Sequence, residues 1–256
     1  MDLGLKGKKA LVTGATRGIG RAIAETFADE GVDLAICART QEQVYETVEA
    51  LKQKGVRAIG GTLDVADGSA LKAWIAEAGQ ALGGIDILVS NPSAFAPQNT
   101  EQDWESSFNI DLLGAVRSVE AAMPFLKQAA EESGDAAIVI IASVFAAETH
   151  MAPAYGAMKA ALIHCAKSIA RQEAPRGIRA NAVSPGTVYF KGGIWNNIEL
   201  YMPDLFKQVM EGNSTGRMAT PQEIANAAVF LASPASSFTT GTNLIVDGAF
   251  TVRVNF

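Results

Sequence analysis

Short runs of β-branched and aliphatic residues recur along this chain between longer stretches of helical periodicity, and no other feature restricts the fold as strongly. The alternation predicts strands at 10–13, 33–38, 56–61, 85–90, 137–142, 179–183 and 244–246, with helices filling the intervals. The run Ile138-Val139-Ile140-Ile141 is apolar on both alternating faces. Strands of that kind belong in a sheet covered by helices on both sides. The first interval carries the matching helical signal: Ile19, Ile23 and Phe27 recur at four-residue spacing, Arg21, Glu25 and Asp29 fall on other faces, and Gly31 closes the run. The sequence therefore predicts an α/β chain with a single-domain Rossmann fold, a doubly wound parallel sheet of about seven strands flanked by helices on both faces.

No repeat, low-complexity segment or linker divides the 256 residues, and a hydrophobic content of 48% suffices for one large core. One domain is expected over 1–256. The single long irregular stretch is 187–217, rich in Gly, Asn, Trp and Met, and it is read as a substrate loop inserted into that domain.

A net charge of −6 leaves no basic surplus for phosphate backbones or anionic membranes, so neither nucleic acid nor membrane is expected as a partner. The first residues lack the basic-then-apolar order of a signal peptide, and a cytoplasmic location is expected. Cys37 and Cys165 are read as reduced, buried thiols. With His150 and His164 they form no cluster at ligand spacing, so no metal is expected.

The run Thr13-Gly14-Ala15-Thr16-Arg17-Gly18-Ile19-Gly20 follows the first strand and opens the first helix. Glycines there let the backbone turn tightly and approach a pyrophosphate, whose charge the free amides of the helix start stabilise. A plain glycine-rich turn would have the same composition. The strand before and helix after favour a dinucleotide site, with Gly14, Thr16, Arg17, Gly18, Ile19 and Gly20 as its cofactor-binding residues. At the end of the second strand, where an acid would accept the ribose 2′-hydroxyl of NAD, stands Ala38, followed by Arg39. A guanidinium there, helped by Arg17, suits the 2′-phosphate of NADP. The cofactor is read as NADP(H) in preference to NAD(H), the alternative being an Arg39 that merely faces solvent.

The spacing Gly14-x-x-x-Gly18-x-Gly20 departs from the G-x-G-x-x-G form and resembles the short-chain dehydrogenase/reductase family. The resemblance runs over nearly the whole chain through Asp64-Val65, Asn109, Ser143, Tyr155-x-x-x-Lys159 and Pro185-Gly186, and it extends to 3-oxoacyl carrier-protein reductases. It implies that Asp64 and Val65 lie at the adenine and that Asn91, Pro185, Gly186 and Val188 also contact the cofactor. The chain departs from the family after the fourth strand, where Ser90-Asn91-Pro92-Ser93 replaces Asn-Asn-Ala-Gly.

Tyr155 and Lys159 stand four residues apart in a helical stretch, so their side chains share one face. A free phenol ionises near pH 10, and an ammonium one turn away favours the phenolate. The resemblance implies that Tyr155 passes the proton while hydride moves between cofactor and carbon, that Lys159 also binds the nicotinamide ribose, that Ser143 holds the substrate oxygen, and that Asn109 positions a water. Each residue has an ordinary alternative, as a helix cap, a turn former or a solvated charge.

Ser143, Phe145 and Tyr155 are expected to touch substrate. Phe95, Ala96, Glu148, His150 and Met151, with Tyr189, Trp195, Tyr201, Met202, Phe206 and Met210, are candidates for the pocket wall or for packing. The function read from the sequence is interconversion of a ketone and a secondary alcohol. A 3-oxoacyl thioester reductase and a cofactor-binding regulatory protein without turnover stand as alternatives. The family resemblance also implies a homotetramer or homodimer built through the fourth and fifth helices and the last strand.

Overall fold

The structure is a computed structural model that describes residues 2–96, 98–149 and 152–254. Along the chain, β1 (Lys9–Thr13) leads into α1 (Gly18–Asp29), β2 (Asp33–Ala38) into α2 (Gln41–Lys52), and β3 (Ala58–Thr62) into α3 (Gly68–Leu82). Next, β4 (Ile87–Ser90) precedes α4 (Glu101–Ser107), which runs through a π-helical turn (Phe108–Leu112) into α5 (Leu113–Ser133). Then β5 (Ala136–Ile141) is followed by α6 (Pro153–Glu173), and β6 (Ile178–Pro185) by α7 (Ile194–Tyr201), α8 (Pro203–Gly212) and α9 (Pro221–Ala232) before β7 (Asn243–Val246).

The strands form one parallel sheet in the order β3-β2-β1-β4-β5-β6-β7. Alternate residues of each strand feed opposite cores. Ala10, Val12, Val139 and Ile141 pack with Ile23 and Phe27 of α1 and Ile224 and Val229 of α9. Leu11, Ile138 and Ile140 pack with Leu71 and Ile75 of α3, Leu126 of α5 and Leu162 of α6. The doubly apolar strands thus face two helical layers, which is the Rossmann architecture the sequence predicts.

The strand order reverses at β1, which pairs with β2 on one side and β4 on the other, with Thr13 opposite Cys37 and Ser90. The connections leaving β1 and β4 diverge to opposite faces there and leave a crevice at the carboxyl ends of the strands. The segment 187–217 is a correction to the sequence reading, since it holds α7 and α8 in place of an irregular loop. Pro203 stands in the first turn of α8, where its missing amide costs nothing. Phe206, Val209 and Met210 follow at helical spacing.

Candidate active site

The glycine turn is closed by backbone. The amides of Gly14 and Ala15 donate to the Cys37 carbonyl at 2.9 and 3.3 Å, and Asn91 Nδ2 donates to the Gly14 carbonyl at 2.9 Å. Asn91 therefore ties the turn after β1 to the loop after β4. Gly18 holds φ at +54°, in the left-handed region. A Cβ on Gly20 would lie 2.2 Å from the Gly14 carbonyl oxygen, so only glycine lets α1 start against its own turn. Arg17, exposed and extended, is the N-cap of α1 but supplies no side-chain hydrogen bond to the first amides, which leaves those donors available to an anion. Ile19 packs against the core, and Thr16 Oγ1 donates to Gln43 Oε1 at 3.2 Å.

The remaining predicted cofactor residues divide. Arg39 is exposed just beyond β2, beside half-buried Ala38. Asp64 is exposed and accepts the Ala66 amide at 2.9 Å, whereas Val65 is buried in the core. Pro185 ends β6, the Gly186 amide donates to Val246 at 3.0 Å, and buried Val188 bridges to Ala219. Burial pushes the Cys37 thiol up to about 12, against a smaller opposing effect of the Gly14 amide. Burial likewise raises that of Cys165.

Ser143, just beyond β5, is buried and accepts the Phe145 amide on Oγ at 3.2 Å, so it caps the 3₁₀ turn Val144–Ala146. That bond uses a lone pair and leaves the hydroxyl proton to donate elsewhere. Tyr155 lies in the first turn of α6. The rings of Phe95 and Phe145 stand edge-on to it, with centroids 5.5 and 6.2 Å away. A Cβ on Gly156 would meet the Phe145 carbonyl oxygen at 2.8 Å, so this glycine lets the Ser143 turn approach α6 beside Tyr155. Sequence reasoning passed over it.

Lys159 is buried, with Nζ 5.4 Å from the Tyr155 ring centroid, and donates to the Ile141 carbonyl at 3.0 Å. Ser143, Tyr155 and Lys159 are thus gathered at the end of β5. Asn109 is not with them. Its Nδ2 donates to the Glu105 carbonyl at 2.9 Å, within its own helix. The side chain facing Lys159 is Asp111, buried, with Oδ1 3.1 Å from Nζ. Both residues belong to the π turn, and within it the side-chain amide nitrogen of Asn109 is engaged by the preceding turn while Asp111 meets Lys159. The available signal was an acid set among Ile110, Leu112 and Leu113.

A cavity of about 360 Å³ is lined by Tyr189, Glu199, Phe206, Met210, Arg217 and Met218, with Ala219 and Thr220. Ser143, Tyr155 and Lys159 are not among its walls. Tyr189 donates its hydroxyl to Glu199, which raises the tyrosine's pKa above its ordinary value, and receives Asn196 Nδ2 at 3.0 Å. Tyr201 and Met202 are exposed. His150 and Met151 lie outside the described residues.

A switch-point crevice with a glycine turn on one side and a serine, tyrosine and buried lysine on the other defines an oxidoreductase that works with a nicotinamide dinucleotide. Residues 14–251 match the family described as enoyl-(acyl carrier protein) reductase. The chain is 38% identical to isoepoxydon dehydrogenase patN of Penicillium expansum over all of its own length and 99% of that protein. It is 34% identical to the 3-oxoacyl-(acyl-carrier-protein) reductase FabG of Staphylococcus aureus, over 94% of this chain and 97% of the other. The crystal structure of L-sorbose reductase from Gluconobacter frateurii complexed with NADPH and L-sorbose superposes with a TM-score of 0.89 at 29% identity, covering 99% of this chain and 100% of that one. The chain belongs to the short-chain dehydrogenase/reductase family, and it is an enzyme.

Proposed function

We propose that this enzyme uses NADP(H) to interconvert a ketone and a secondary alcohol, with Tyr155 carrying the proton. The observation that supports this most is the buried Lys159 ammonium 5.4 Å from the Tyr155 ring, in a nest made by Phe95 and Phe145. A cation held beside a phenol in an apolar setting stabilises the phenolate that must form whenever the tyrosine gives up its proton.

The glycine turn suits a dinucleotide, because Gly20 lets α1 start tightly against the turn after β1 and the first amides of α1 have no side-chain cap. Gly14, Thr16, Arg17, Gly18, Ile19 and Gly20 would hold its phosphates. Arg39 would pair with a 2′-phosphate, Asp64 and Val65 would meet the adenine, and Asn91, Pro185, Gly186, Val188 and Lys159 would flank the nicotinamide ribose. The L-sorbose reductase structure, complexed with NADPH, supports that choice of cofactor. When bound, NADPH supplies the hydride.

The chain's own residues handle the oxygen. Ser143, with one lone pair engaged by the Phe145 amide, keeps its hydroxyl proton for a substrate carbonyl oxygen. Tyr155 donates its proton to that oxygen as negative charge develops there, and in alcohol oxidation the phenolate takes the proton back. Lys159 stabilises the phenolate.

A second reading, reduction of a 3-oxoacyl thioester, is favoured by the similarity to FabG and by the family description. L-sorbose in the superposed structure and the dehydrogenase name of the patN relative favour a small free ketone or alcohol. We further propose assembly through the helical run α4–α5, through α6 and through β7. The test is Tyr155→Phe, assayed by NADPH absorbance against a panel of ketones, hydroxy acids and acyl thioesters. Loss of a hydroxyl acid typically costs about 10²–10⁴-fold in turnover. That loss with NADPH binding retained supports the reading, and wild-type turnover would overturn it.

A further inference from the structure

Asp111 has no part in the scheme above, yet it is the charged group in contact with Lys159. It is buried, it belongs to the π turn between α4 and α5, and its two oxygens serve two different parts of the site. Oδ1 lies 3.1 Å from Lys159 Nζ in an ion pair that falls outside hydrogen-bond geometry. Oδ2 accepts the Ala94 amide at 3.0 Å. Ala94 precedes Phe95, which holds φ at +42°, a value costly for a residue with a Cβ, and whose ring stands edge-on to Tyr155. The carboxylate thus grips the lysine on one side of Tyr155 and the aromatic loop on the other.

We infer that Asp111 is the positioning residue of the proton-transfer pair, and that its negative charge offsets the Lys159 ammonium as sensed by Tyr155. This rests on the Tyr155 and Lys159 reading given above. Two opposite charges out of water bind each other strongly, and a phenol beside the pair senses the ammonium partly offset by the carboxylate. Among the described residues, the titratable and charged groups around Tyr155 are Lys159 on α6, Asp111 on the π turn, and Glu148, whose carbonyl lies near Gly156. β5 and the loop after β4 contribute backbone groups, the Ile141 carbonyl and the Ala94 amide. A neutral side chain of the same size at 111 leaves the ammonium unopposed and makes the Tyr155 proton easier to remove.

The test uses the full chain and needs no substrate. Ultraviolet phenolate absorbance is titrated in wild type and Tyr155→Phe, and their difference isolates Tyr155 from Tyr45, Tyr189 and Tyr201. The same difference is taken in Asp111→Asn and its Tyr155→Phe partner. We expect its midpoint to fall by on the order of one pH unit in the Asp111→Asn pair. A role confined to folding would leave the midpoint in place, so coincident curves overturn the inference. Should Asp111→Asn not fold, Lys159→Met and Lys159→Met with Asp111→Asn give the same comparison. There the doubly neutral protein must ionise at the lower pH, and equal midpoints overturn the inference. Full turnover in Tyr155→Phe would refute the catalytic reading while the titration still reported on Asp111, so the two failures are distinguishable.

Discussion

At the scale of single residues, the choice between the two nicotinamide cofactors turns on Arg39. Ala38 ends β2 without an acid to accept a 2′-hydroxyl, and the exposed Arg39 follows it toward the carboxyl end of the sheet. A 2′-phosphate there gains charge-assisted, bidentate hydrogen bonds from a guanidinium that a bare ribose cannot use. NADPH should therefore bind more tightly than NADH. Arg39→Ala should weaken NADPH by about 10- to 100-fold while changing NADH little. Fluorescence titration of both cofactors checks this, and a wild-type preference for NADH would refute the assignment. Legibility at this scale follows backbone regularity. Tyr155 and Lys159 could be read together because α6 is a regular helix, in which four residues return to one face. Asp111 could not, because the π turn breaks the period on which such a reading depends. Gly156 escaped notice because its use is close approach to the Phe145 carbonyl, a contact between elements that sequence spacing does not encode.

At the scale of elements, Arg179 joins β6 to the end of α9. Its buried guanidinium pairs with Asp135 at 2.7 and 3.2 Å and donates to the carbonyls of Leu231 at 2.6 Å, Ala232 at 3.2 Å, Ser233 at 3.1 Å and Ser236 at 3.3 Å. The last carbonyls of a helix lack intrahelical partners and carry its negative dipole end, so a cation satisfies both needs. Arg179→Ala leaves Asp135 and those carbonyls without their partner and should cost about 3–5 kcal/mol. Arg179→Lys should recover only part of that, because an ammonium cannot reproduce the planar fork. Denaturant unfolding measures both, and an unchanged midpoint in Arg179→Ala would contradict the role. Strands β1, β2, β4 and β5 were legible because each carries a run of buried aliphatics, whereas β3 and β7 are only partly buried. The helices α7 and α8 were not, since neither contains a fully buried residue and their Gly- and Asn-rich surroundings have the composition of a loop.

At the scale of the whole molecule, several of the large apolar residues that the single chain leaves in solvent lie on one helical run. Trp104, Phe108 and Val116 are 38, 44 and 42% exposed on α4, the π turn and α5. Isolated exposed side chains need no explanation, but several large apolar ones on one run of helix make a candidate contact surface. Phe238, Val252 and Val254 add exposed apolar surface on either side of β7. The helical run α4–α5 and the last strand are two of the regions through which the family resemblance implies that subunits meet, and a symmetric pair of such surfaces can cover each other. Among the described residues, no helix is long and apolar enough to cross a membrane. We therefore expect the protein to sediment as a dimer or tetramer at micromolar concentration. Val116→Glu together with Trp104→Glu should shift it to monomers, because each introduced carboxylate would be buried without a partner at the contact. Both positions are solvent-facing in the single chain, so the monomer should keep its fold, which circular dichroism reports independently of assembly. A wild-type protein that sediments as a monomer, or a double variant that stays assembled, would show that this surface is not the interface.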